Sequence, residues 1–178
     1  MIERSDFDDL LNVLRGEDDL GVVIRAHILI ESKLEAFLRR RIPRYKYLEE
    51  KRFSYAAKID LALAMGLNPR FSAPLRKLGQ IRNDFAHKPG MKLSNRHVTD
   101  LFGALDAEDR RIVLESFDNT KAKVPEFPNK PFNKHSPKDR LSLVVVSLYA
   151  LFEILLNELN KRKHNNGFNT DADKPGAG

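Results

Sequence analysis

Arg82-Asn83-Asp84-Phe85-Ala86-His87 runs directly into Lys88-Pro89-Gly90. The six residues close a helical run, and the proline and glycine stop it. At about 100° per residue, Leu78, Ile81 and Phe85 fall in one narrow sector and form a core stripe. Asn83 and His87, four residues apart, share a face roughly opposite that stripe. Arg82 sits at its flank. One helix over about 72–87 therefore presents a packing face and a face of amide, imidazole and guanidinium groups.

Outward from this helix, helical signals continue in both directions. Ser54 is placed to cap a helix ending at Met65-Gly66, and Asn68-Pro69 makes the turn into the next. Upstream, Asp18 or Asp19 caps a long helix to about Arg41. Its apolar residues, from Val22 through Ala26 and Ile30 to Leu38, recur at three and four positions, and Pro43 prevents continuation. A short helix from Asp6 to Leu14 is expected before it, with Ser5 as N-cap and Gly16 just past its end. Downstream, Ser94 caps a helix carrying Val98, Leu101, Phe102 and Leu105, and another spans Ala107 to Phe117. The prolines of 119–137 mark an extended loop.

The last helix, expected from about Lys138 to Arg162, is apolar on nearly every face and must be buried on most sides. Val145, Leu148, Phe152 and Leu155 are expected to be nearly inaccessible. One all-α domain over 1–163 follows, with 164–178 a polar, disordered tail.

There is no cysteine, which excludes disulfides, thiolate metal sites and cysteine nucleophiles. No secretory leader is legible at Met1–Asp6, so a cytoplasmic protein is expected. The apolar run Leu141–Leu156 is short for a membrane span and interrupted by Ser142, Ser147 and Glu153. The net charge of +6 and pI of about 9.5 favour acidic partners. Much of the excess lies at Arg39, Arg40, Arg41 and Arg44, among Tyr45 and Tyr47. Such a run reads either as a solvated helix end or as a track for an RNA phosphate backbone.

Two readings of the central residues stand side by side. In one, Arg82 pairs with Glu31 of the long helix and locks two helices together, Asn83 bonds locally, and His87 suits the helix C-terminus. In the other, Arg82 stabilises charge on a phosphate, His87 moves protons, and Asn83 orients either group. RNA supplies its own nucleophile, the 2′-hydroxyl, so such a site needs no metal or cofactor. His27 and Glu31 lack the further ligands that a metal would require. His97, His135 and His164 read as isolated surface histidines. The helix following Asn68-Pro69 lacks exposed base-reading side chains in its first turns, so direct DNA reading is not expected.

Arg82-Asn83-Asp84-Phe85-Ala86-His87 resembles the signature of HEPN domains: an arginine, a polar residue, then a histidine four to six positions beyond the arginine. Phe53-Ser54-Tyr55-Ala56-Ala57-Lys58-Ile59-Asp60-Leu61-Ala62-Leu63-Ala64-Met65-Gly66-Leu67, together with Ile81–His87, is similar to the mannitol operon repressor-like family, over roughly residues 18–105. The resemblance implies an antiparallel HEPN-like bundle with additional short helices. It implies a homodimer in which Arg82, Asn83 and His87 of two chains face one another as a metal-independent endoribonuclease of toxin or defence type. It also implies two other roles: a non-catalytic transcriptional regulator acting through protein contacts, or a toxin paired with a nucleotidyltransferase antitoxin.

Overall fold

The computed structural model describes residues 4–123 and 129–167, with side chains described for 9–121 and 129–161. Among them are seven α-helices: α1 (Arg4–Gly16), α2 (Asp19–Arg41), α3 (Tyr55–Ala64), α4 (Ser72–His87), α5 (Asn95–Ala104), α6 (Ala107–Lys123) and α7 (Pro137–Gly167). The described residues contain no strand, and the fold is all-α. Local chemistry sets most boundaries. Asp18 accepts from the Gly21 amide at 2.6 Å and starts α2, and Ser54 accepts from Ala57 at 3.2 Å and starts α3. Gly66, at φ +91°, ends α3 by letting Leu67 N–H return to the Ala62 carbonyl at 2.9 Å. Ser94 and His97 form a reciprocal cap on α5.

The central post is α7, which packs against α1, α2, α5 and α6. Leu141, Val144, Val145, Leu148 and Phe152 are fully inaccessible. By length and hydropathy Pro137–Lys161 would suit a membrane span, yet most of it is enclosed by the rest of the chain. Its broadest contact is with α2. Polar ties mark the register: Lys138 Nζ donates to the Glu17 carbonyl at 2.8 Å, Lys33 pairs with Glu153, and Arg40 Nε donates to Asn160 Oδ1 at 3.0 Å. The partners stay about 120 residues apart in sequence as both positions advance, by 121, 120 and 120. The two longest helices therefore run parallel. The antiparallel arrangement that the resemblance implies does not extend to this pair, because the 42–54 segment returns the chain along α2 before α3 begins, and the helices after it leave the chain at Glu17 where α7 starts.

Other boundaries also differ from expectation. Ser5 lies inside α1, which begins at Arg4, and Gly16 closes that helix. Helix α6 continues to Lys123, because every proline of the 119–137 segment lies at 125 or later and nothing before them stops a helix. Pro137 is the first residue of α7, a position where its missing N–H costs nothing. Residues 164–167, assigned above to the tail, extend α7 to Gly167, and 168–178 lie outside the described residues. Leu155 is half-buried, and the neighbouring Leu156 is the residue that packs inward.

Leu148 sits at the middle of α7 with no accessible surface. Leu148→Ala is expected to cost about 2–5 kcal/mol, read in urea as a lowered midpoint at unchanged slope. A loss below about 0.5 kcal/mol would contradict the packing described.

Candidate functional site

Helix α4 is held by its apolar side. Leu75, Leu78, Ile81 and Phe85 are buried, and Arg76, Gln80, Asn83 and His87 form an exposed line along the opposite side. Arg82 is exposed beside that line, and its Nη1 donates to Asn83 Oδ1 at 3.1 Å. His87 is the last helical residue; Lys88 N–H returns to the Asp84 carbonyl at 3.1 Å, and Gly90, at φ +77°, turns the chain away. The sequence geometry of this helix therefore holds.

The expected Arg82–Glu31 pair does not form. Glu31 Oε1 accepts from Lys58 Nζ of α3 at 2.7 Å, and its Oε2 lies 3.5 Å from His27 Nδ1, one turn earlier on α2. Lys58 also bonds Glu35. A lysine on the adjacent helix reaches both carboxylates, so Glu31 is already committed. Burial works against the Lys58 cation, but its bonds to Glu31 and Glu35 outweigh that cost and hold the proton more tightly than in a free lysine.

Arg82 and Glu31 nevertheless share a cleft of about 540 Å³ between α2, α3 and α4. His27, Tyr55, Arg76, Gln80 and Asn83 also line it, and His87 does not. His27 is only 6% exposed, and its ring lies 4.3 Å, centre to centre, from the tilted ring of Tyr55. Burial pushes the imidazole pKa down; Glu31 opposes this, while Arg82 and Lys58 push it further down. His27 is thus a neutral imidazole at neutral pH. Burial likewise raises the Tyr55 phenol, with Glu31 adding to the effect. Its hydroxyl is buried and makes no hydrogen bond among the described residues.

Tyr55 reaches this position because α4 carries Gly79 opposite it. A Cβ on Gly79 would stand 2.9 Å from Tyr55 Cδ1 and 3.1 Å from Cε1. The tyrosine ring is therefore wedged between His27 and a helix backbone without a side chain. Arg76, on the same face of α4, is tied to Asp60 of α3.

The basic run divides. Arg39 and Arg44 line a separate groove of about 770 Å³ with Tyr45, Lys46 and Tyr47. Arg39 pairs there with Glu49 and stacks over Tyr45 at 4.9 Å. Arg40 points to Asn160 and the Ala36 carbonyl, and Arg41 Nε donates to the Met65 carbonyl at 2.8 Å. Successive residues diverge by 100° around the helix, so four arginines near one helix end cannot form a single track.

His135 is buried rather than on the surface. Its Nε2 lies 3.1 Å from the Lys130 carbonyl and its ring stands edge-on to Phe117 at 5.1 Å. His97 caps α5, and the His164 side chain lies outside the described residues. Sequence reading missed His27 and Tyr55 as members of the Arg82 cleft. The spacing of His27 and Glu31 was a signal, but only the packing of three helices brings them beneath Arg82. No family model matches the chain, nor does any curated protein or solved structure.

Gly79→Ala is expected to destabilise the protein by about 1–3 kcal/mol, despite the better helix propensity of alanine, because the methyl group must displace Tyr55. A thermal midpoint equal to or above wild type would refute the wedge. The depressed pKa of His27 has a second consequence. Below its ordinary value of 6.5 the unfolded chain takes up a proton before the folded one does. Stability is then unaffected by this group above that pH, falls as pH drops below it, and levels off once the folded value is passed. The slope due to His27 is at most about 1.4 kcal/mol per pH unit. Urea titrations at pH 7.5 and 5.5 should show His27→Asn losing less stability on acidification than wild type; equal losses would contradict the assignment.

Proposed function

We propose that this chain is a metal-independent endoribonuclease of HEPN type, acting in toxin or defence fashion as a homodimer, with Arg82, Asn83 and His87 at its reactive centre. The observation that carries this reading is that all three side chains stand exposed on α4, while the apolar packing that anchors the helix comes from the opposite face. Arg82 bonds its neighbour Asn83, and no carboxylate of the described residues lies within ion-pair distance of it. An arginine left without an acidic partner beside a cleft keeps its planar fork available to a phosphate. Asn83 holds the guanidinium from the side, and His87 stands one turn beyond Asn83 on the same exposed face. The groove at Arg39 and Arg44, with Lys46 and two tyrosines, suits a phosphate backbone and stacked bases. Two α4 faces brought together by a two-fold axis would double this arrangement.

Purified protein is expected to cut single-stranded regions of total RNA with EDTA present, leaving 2′,3′-cyclic phosphate ends. His87→Ala should lower the rate by on the order of 10²–10⁴-fold. Its stability should stay within about 0.5 kcal/mol of wild type, since an exposed terminal residue anchors nothing. Arg82→Lys should keep the fold and lose most of the rate, because an ammonium cannot reproduce the two-pronged contact. RNA left intact by the wild-type dimer would overturn this reading. It would favour a regulator of the mannitol operon repressor type, using the same exposed face for a protein contact.

A further inference from the structure

We infer that His27 is a catalytic residue of the same centre, the proton acceptor for the attacking 2′-hydroxyl, with His87 as the proton donor. This rests on the ribonuclease reading and adds to it a side chain outside the Arg82–His87 motif. Three helices bring the groups together: His27 and Glu31 on α2, Tyr55 at the start of α3, and Arg82 with Asn83 on α4, all lining one cleft. A phosphate held by Arg82 at the mouth of that cleft places the adjoining ribose against its wall.

His27 is built into position. Its ring is packed on Tyr55, which in turn is wedged on Gly79. Its Nδ1 edge faces Glu31 at 3.5 Å, an arrangement that favours the ring proton on that side and the lone pair on Nε2. The charged and titratable groups facing it are Glu31 on its own helix, Tyr55 and Lys58 on α3, and Arg82 on α4. Burial favours the neutral, proton-accepting form of the imidazole, and Arg82 and Lys58 add to this against the opposing pull of Glu31. A merely structural histidine would gain little from being placed beside Arg82.

The step is a transesterification. The 2′-oxygen gives its proton to His27 Nε2 as it bonds to phosphorus. The P–O5′ bond breaks with its electron pair on O5′, which takes a proton from protonated His87. The products are a 2′,3′-cyclic phosphate end and a 5′-hydroxyl end. Arg82 stabilises the charge on the non-bridging oxygens meanwhile.

The two histidines are separated by the leaving group. A short single-stranded RNA leaves as an alkoxide and needs the acid; uridine 3′-(4-nitrophenyl phosphate) leaves as a stable phenolate and does not. The wild-type dimer, His27→Asn and His87→Ala are compared on both substrates with EDTA present, each after a thermal melt to establish folding. His87→Ala should be impaired on RNA but near wild type on the nitrophenyl ester. His27→Asn should lose on the order of 10²–10⁴-fold on both. If His27→Asn does not fold, Glu31→Gln replaces it. Removing the carboxylate that supports the His27 proton should then move the acidic limb of the pH–rate profile to lower pH. The inference is overturned if His27→Asn cleaves RNA within about threefold of wild type, well short of a general-base effect. It is also overturned if His27→Asn loses rate on RNA alone, or if Glu31→Gln leaves the limb in place. Wild-type protein inert on both substrates would overturn the ribonuclease reading itself, and this inference with it.

Discussion

The parallel pairing of α2 with α7 is the constraint on which the rest of the structure depends. Val22, Val23, Ala26, Ile30, Leu34 and Phe37 on one helix and Leu141, Val144, Val145, Leu148 and Phe152 on the other are all closed to solvent. Neither helix could stand alone in water with so much apolar surface, and burying each such side chain is worth about 1.5–3 kcal/mol. Apolar contact has no direction, however, and would tolerate a shift of one turn. The polar ties at both ends and the middle (Lys138 to Glu17, Lys33 to Glu153, Arg40 to Asn160) remove that freedom. A slip would leave Lys33 and Glu153, both largely shielded, without partners.

Everything at the cleft follows from that frame. With α7 covering one side of α2, the side carrying His27, Glu31 and Glu35 is left for α3 and α4. Lys58 draws α3 onto the two carboxylates, and Arg41 secures its far end through the Met65 carbonyl. Helix α3 thus also runs along α2 in the same direction, with Tyr55 near His27 and Met65 near Arg41. The turn at Gly66 and Asn68-Pro69 then sends α4 back, so that Gly79 meets Tyr55 and Arg82 arrives over His27. Each of these placements needs the previous one. A charge pair on the second helix therefore determines what lies beneath an arginine on the fourth.

Much of the fold was legible because helix ends are written locally. Asp18, Ser54, Ser94 and Gly66 act within three or four residues of themselves, and their signals survived folding unchanged. The exposed face of α4 was legible for the same reason, since helical periodicity alone puts Asn83 and His87 opposite Phe85. What depended on distant partners was not. Glu31 does line the same cleft as Arg82, but nothing local in the sequence shows that Lys58 reaches it first. The burial of His135 comes from Phe117 and from the carbonyl at Lys130, across a proline-rich segment with no periodicity to read. The parallel course of α7 likewise depends on where four intervening helices leave the chain.

The cleft contrasts with the charge pairs that join helices elsewhere. Arg15 with Asp139, Lys33 with Glu153 and Lys58 with its two glutamates all join helices, and each is at least partly shielded from water. Arg82 departs from this pattern. It sits where a pairing carboxylate would have strengthened the α2–α4 contact, and Glu31, which lines the same cleft, is instead turned to Lys58. Burial depresses the proton affinity of His27 and a cation so placed adds to the effect, which destabilises the fold at acid pH and keeps the imidazole neutral at physiological pH. The Tyr55 hydroxyl, buried without a hydrogen-bond partner among the described residues, adds a further cost. Unfavourable electrostatics are not confined to this cleft, since burial also works against the charges of Asp109 and Arg140; what sets Arg82 and His27 apart is that they line a pocket open to solvent.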